Sequence, residues 1–268
     1  MYDWIEHGDG VFSKRYRFLD LSIGAVICGD GVLLVDTRAT YGQAGEVIDD
    51  LRRITRHPVR WVLNTHHHWD HTFGNAVFLP AAIWGHERCA EVLAVHGEKM
   101  REQAKAWAPD HAHLFDEVEI TPPDHTFGES VTLHLEGRTV EFRFLGRGHT
   151  DNDVVVLIPD ASTAFAGDLI EESAPPAFAD SFPLEWPDAV AALLTLVNGP
   201  AIPGHGGVVD RGFVAAQQAD LAEVARLAQE RFSAGMSVAA ASEAGGPFGE
   251  ATLEAAFTRC WPALEMEG

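Results

Sequence analysis

The order of the predicted elements specifies an α/β fold in which two β-sheets pack face to face with helices outside them. Three strands, a helix, a strand and a helix are followed by strands, a helix, a strand and further helices, so the two halves share a plan without a repeat at fixed period. With 268 residues, 46% hydrophobic and 22% charged, the chain has the length and composition of one globular domain, taken as residues 1–268 with a helical tail from about residue 210.

Val11 to Leu19 and Leu21 to Cys28 read as strands, and Gly29-Asp30-Gly31 turns the chain into a third, Val32 to Val35. From Gly42 to Thr55 the apolar residues Ala44, Val47, Ile48 and Leu51 recur at helical spacing. Pro58 ends that helix, and Val59 to Leu63 form the next strand. A short strand at Ala82 to Trp84 precedes a helical pattern from Glu87 to Trp107, with a break expected near Gly97. Pro109 to Pro123 read as irregular, either a lid or a connection. Strands follow at Ser130–Leu135, Thr139–Leu145, Asp153–Ile158 and Thr163–Ala166. After the proline-rich stretch Ser173 to Pro187 come a helix at Asp188–Val197 and a strand at Ala201-Ile202. The tail is helical over Gly212–Ala234, Val238–Ala244 and Gly249–Arg259.

One of these strands delivers the most informative residues of the chain. Directly after Trp61-Val62-Leu63, the run Asn64 to His71 reads N-T-H-H-H-W-D-H. Neutral imidazole is a strong ligand for zinc, and one tetrahedral ion rarely takes four ligands from so short a piece. The cluster therefore suggests a loop serving two ions, completed from elsewhere. Three further pieces qualify: Gly148-His149-Thr150, Gly167-Asp168 and Gly204-His205-Gly206, each expected at the C-terminal end of a strand. Asp36, at the end of the third strand, is a candidate hydrogen-bond partner for a ligand histidine.

Bulk properties narrow the partners. A net charge of −21 repels phosphate backbones and anionic lipid surfaces, which argues against nucleic acid and membrane partners and for a small-molecule substrate. No apolar run approaches the ~18 residues of a membrane span. The N-terminus lacks the basic and apolar regions of a signal peptide. Cys28, Cys89 and Cys260 are odd in number and far apart, and fit free thiols in a cytoplasmic protein. Oligomeric state is not legible.

The motifs His66-His67-His68-Trp69-Asp70-His71 (pattern HxHxDH), Gly148-His149-Thr150, Gly167-Asp168 and Gly204-His205-Gly206, in this order, resemble those of the metallo-β-lactamase-fold superfamily. The resemblance implies a four-layer αββα sandwich. It implies two divalent ions, zinc first with iron or manganese as alternatives. In the family pattern His66, His68 and His149 match the ligands of one metal; Asp70, His71 and His205 match those of the other. Asp168 matches the carboxylate bridging both, and Asp70 also matches the residue that orients the nucleophile; His67 would point away, since alternate residues at a strand end face opposite sides.

What the resemblance implies chemically is a hydrolase in which metal-activated water attacks the carbonyl of a small ester, thioester, lactone or lactam. Zinc β-lactamases of the commonest subclass resemble HxHxDR and use a cysteine where this chain has Asp168. Another subclass shares HxHxDH but lacks the bridging aspartate. Asp168 therefore points to the branch with glyoxalase II and lactonases, although the acidic, alanine-rich tail does not suit glutathione. The alternatives are β-lactamase-type activity, or an oxidoreductase resembling the persulfide dioxygenases with one iron.

Overall fold

The computed structural model describes residues 3–267; Met1, Tyr2 and Gly268, at the ends of the span read as one domain, lie outside the described residues. The first sheet holds seven strands in chain order: β1 (Ile5–Gly8), β2 (Val11–Arg15), β3 (Ser22–Cys28), β4 (Gly31–Val35), β5 (Val59–Leu63), β6 (Ala82–His86) and β7 (His125–Phe127). Strands β1 to β4 pair antiparallel and β4 to β7 parallel. The second sheet runs β12-β11-β10-β9-β8, from β8 (Ser130–Leu135), β9 (Arg138–Phe144), β10 (Val154–Ile158), β11 (Thr163–Glu171) and β12 (Ala201–His205). Only β11 and β12 pair parallel in it.

In the central strands period-two alternation divides the side chains between two apolar layers. In β4, Leu33 and Val35 face the second sheet, packing with Leu63, Phe142, Val154, Val156 and Phe165. Val32 and Leu34 face outward onto Ala44, Val47 and Leu51 of α1 (Tyr41–Leu51). In β10, Val155 and Leu157 turn to the other outer layer, formed with α5 (Trp186–Leu196), α6 (Arg211–Ser233), α7 (Val238–Glu243) and α8 (Glu250–Glu267). The result is helices, sheet, sheet, helices, the expected αββα order. Among the described residues no helix is long and apolar enough to cross a membrane.

Several local expectations change. The strand expected over Val11–Leu19 ends at Arg15, because the chain turns through left-handed backbone at Leu19 and Asp20 (φ 58° each). Strands β1 and β7 have no clear alternation and were not foreseen. Helix α3 (Glu87–Trp107) is unbroken at Gly97. That glycine serves close packing, since a Cβ there would lie 2.5 Å from Ile120. The segment after α3 forms a short 3-10 turn and α4 (Ala112–Asp116), with Phe115 buried against Trp69. It is an anchored connection. Strand β11 runs on to Glu171, so Asp168 lies inside a strand and not at its end. Gly167 (φ +53°) breaks the register with β12 there and bulges the chain.

Candidate metal centre

The His66–His71 loop leaves the C-terminal end of β5 and enters the single turn α2 (Trp69–Thr72). Buried polar side chains fix its path. Asn64 and Asn75 exchange amide hydrogen bonds (2.8 and 2.9 Å), Thr37 donates to Asn75 Oδ1, and Thr72 Oγ1 donates to the His68 carbonyl. The two sheets are tied at the same edge: Leu21 bridges to His205, and Ser22 Oγ donates to the Gly206 carbonyl.

Two groups of side chains converge there. In the first, His66 Nε2 and His149 Nε2 lie 3.0 and 2.9 Å from His68 Nδ1, with Asp168 Oδ2 3.7 and 3.5 Å from His66 and His149. In the second, Asp70 Oδ2 is 3.6 Å from His71 Nε2 and 3.4 Å from His205 Nε2, and the two imidazole nitrogens are 3.3 Å apart. Asp168 touches this group too, with Oδ1 3.4 Å from His71 and Oδ2 3.3 Å from His205. All seven residues singled out from sequence thus meet at one sheet edge. Gly204 makes room for the central carboxylate: a Cβ there would sit 1.8 Å from Asp168 Oδ1.

The far nitrogens of these histidines set their tautomers. His71 Nδ1 donates to Asp36 Oδ2 (2.9 Å), which also accepts from Thr65 Oγ1. Because that hydroxyl donates to Asp36, it is free to accept from His66 Nδ1 at 3.1 Å. His205 Nδ1 donates to the Leu19 carbonyl (2.8 Å). His68 Nε2 donates to Asp180 Oδ2 at 3.0 Å. In the neutral form of each ring the remaining nitrogen would then keep its lone pair for the centre. The expected contact of Asp36 with one of these histidines is present. It holds Asp36 in left-handed backbone (φ 64°) that a non-glycine residue rarely adopts.

His67 joins neither group. Its Nδ1 accepts from Asn152 Nδ2 (2.8 Å) and its Nε2 lies 3.6 Å from Asp180. Strand alternation is not the cause, since residues 64–68 form a loop; the Asn152 contact turns the ring. Two residues at the centre escaped sequence reading. Asp180 lies in the proline-rich stretch, where no motif marks it, and Glu171 ends β11 with Oε1 3.5 Å from His149 Nδ1.

The electrostatics fit a cation. Burial alone would raise the Asp70 carboxyl, but the positive charge on His71 and His205 carries it down to about 2. Burial opposes protonation of His71 and His205, yet Asp168 and Asp70 beside them raise both well above the usual histidine range. Those protons occupy the place of a cation, and a bound metal would displace them. Burial lowers His149 to about 4, and lowers His66 well below its usual value, leaving both as neutral donors. Burial, with Asp168 adding to it, pushes Glu171 up to about 8.

Geometry gives the same answer. Tetrahedral ligands at zinc–nitrogen distances stand about 3.4 Å apart, and the donor atoms here are 2.9–3.7 Å apart. Asp168 Oδ1 is buried without a hydrogen-bond donor, as a metal-facing oxygen would be. The residues present therefore fit divalent metal.

Known proteins resemble this chain in sequence and fold. The profile of the metallo-beta-lactamase superfamily matches residues 23–219. A type 2 metallo-beta-lactamase from Bacteroides fragilis is 28% identical over 99 residues, which cover 35% of this chain and 39% of that protein. A metallo-beta-lactamase from Pontibacter korlensis superposes with TM-score 0.65 at 21% identity, covering 83% of this chain and 99% of that one. The stereoselective inverting sec-alkylsulfatase from Pseudomonas sp. superposes with TM-score 0.80 at 14% identity, over 98% of this chain; the chain spans half the length of that enzyme. At such identities the structural likeness is one of fold. The family match over most of the chain shows that the protein belongs to the metallo-beta-lactamase superfamily, and the convergent His and Asp groups are the residues that could hold its metal.

Proposed function

We propose that the protein is a binuclear zinc hydrolase of a small ester, thioester, lactone or lactam, in the branch resembling glyoxalase II and the lactonases. His66, His68 and His149 would hold one ion, Asp70, His71 and His205 the other, and Asp168 both. The observation that carries this reading is the Asp168 carboxylate, which approaches donors of both groups. When bound, the ions supply Lewis acidity toward the substrate oxygen and bring the pKa of water toward neutrality.

The chain's own residues do the rest. Asp70 is ionised near neutral pH, so it can accept a hydrogen bond from an attacking water and orient it. Asp36, Thr65 and Asp180 keep the histidines in the tautomer that leaves a lone pair at the centre. The helical tail belongs to the same domain in this reading, since α5 to α8 share one apolar layer with the second sheet.

Metal analysis of the purified protein, with hydrolysis of lactone, thioester and β-lactam substrates, tests the proposal. About two zinc per chain with turnover is the expected result. One iron per chain, with oxygen consumed in the presence of glutathione persulfide, would overturn it. Asp168→Ala should lose metal as well as rate; unchanged stoichiometry removes the shared carboxylate. A second reading, sulfate-ester hydrolysis, draws on the alkylsulfatase fold, which follows this chain through its C-terminal helices. A secondary alkyl sulfate in the substrate panel separates the two.

A further inference from the structure

A cavity of about 720 Å³ lies between α1 and the end of β2, and no residue of the metal centre lines it. Its volume is within the range of small-molecule sites. Five of the nineteen Lys and Arg residues of this acidic chain line it: Lys14, Arg15, Arg17, Arg38 and Arg53. Three carboxylates in the lining, Glu46, Asp49 and Asp50, leave a formal excess of positive charge there, in a molecule whose net charge is −21.

The cations are arranged in two tiers. Lys14 and Arg38 are buried, whereas Arg17 and Arg53 are exposed. Asp50 alone answers three donors: Lys14 Nζ at 2.7 Å, the Tyr16 hydroxyl at 3.1 Å and Arg53 at 3.7 Å. Arg38 pairs with Glu46 and lies over the Tyr16 ring, 4.0 Å from its centroid, yet its buried Nε has no acceptor. Arg15 pairs with Asp20, and Arg17 makes no ion pair among the described residues. Burying cations with donors unfilled is costly unless an anion completes them. Tyr16 and Phe18 add aromatic surface to the same wall.

We propose that this cavity binds a small organic anion, a carboxylate or phosphate monoester on a flat apolar body. Arginine pairs with both head groups through parallel hydrogen bonds, and the rings take the apolar part. The surrounding negative charge excludes extended polyanions. This site stands independently of the chemistry assigned to the metal centre.

Calorimetric titration with benzoate and phenyl phosphate, with benzamide as the neutral control, tests the proposal on metal-loaded and metal-free protein. At least one anion should bind at one site per chain, benzamide should not, and removal of metal should leave the affinity unchanged. The tighter of the two probes identifies the head group. Arg17→Ala with Arg53→Ala removes two exposed charges and should weaken binding about tenfold or more, with the thermal midpoint unchanged. Absence of binding at millimolar anion, equal affinity in the double variant, or loss of binding with the metal would each overturn the proposal.

Discussion

Gly204→Ala places a single methyl group at the most crowded point of the centre. The added carbon would lie 1.8 Å from Asp168 Oδ1 and 3.0 Å from Cγ, where real Cβ contacts essentially never come under 3.0 Å. Strand β12 is buried and paired with β11, so its backbone has little room to withdraw. The carboxylate must instead retreat by about 1 Å or more, and a misplacement of that size costs about a hundredfold in rate. Asp168 contacts both donor groups, so metal should be lost along with turnover. Metal content by plasma emission, read beside far-ultraviolet circular dichroism, checks this. A folded Gly204→Ala protein with full metal content and wild-type turnover would refute the steric reasoning.

Three other outcomes follow from the same coordinates. Asp36→Asn keeps its acceptor for the Thr65 amide but turns an NH2 group toward His71 Nδ1, which favours the tautomer with a proton on Nε2. Metal affinity should fall about 10- to 100-fold, measured by chelator competition; unchanged affinity would count against the Asp36 contact. Arg259→Ala removes hydrogen bonds from α8 to the Ser181 and Asp180 carbonyls, so Asp180 loosens its hold on His68, and metal affinity should fall about tenfold without a change in fold. The third outcome concerns pH. Burial pushes the Asp153 carboxyl up to about 7, above its unfolded value, so its contribution to stability is full below about pH 4 and lost as pH rises through 7. Asp153→Asn copies the protonated form and should flatten thermal stability over that range, by as much as about 4 kcal/mol; an unaltered pH profile would exclude the assignment.

The residues of the candidate metal centre were legible because their chemistry is local: four donors in six positions after an apolar strand, and single donors beside glycines. The two-sheet architecture was legible from element order. What escaped has a physical cause in each case. Asp180 reaches His68 from across the fold, and such a contact leaves no spacing in the sequence. Gly97 looks like a helix breaker, but tertiary contact with Ile120 outweighs its poor propensity. The length of β11 was hidden because the bulge at Gly167 interrupts the pattern while pairing continues. The cationic cavity gathers residues from β2, the turn after it, Arg38 and α1, and no periodicity connects them.

The turn between β2 and β3 has a double position. Tyr16, Arg17 and Phe18 line the cationic cavity, while the carbonyl of Leu19, the next residue, holds His205 in place. Two ligands that each favour one setting of this turn are thermodynamically linked. The factor by which an anion alters metal affinity must equal the factor by which the metal alters anion affinity. Anion affinity that is the same with and without metal therefore requires metal affinity that is the same with and without anion, which makes the segment from Tyr16 to Leu19 a rigid wall shared by two independent sites.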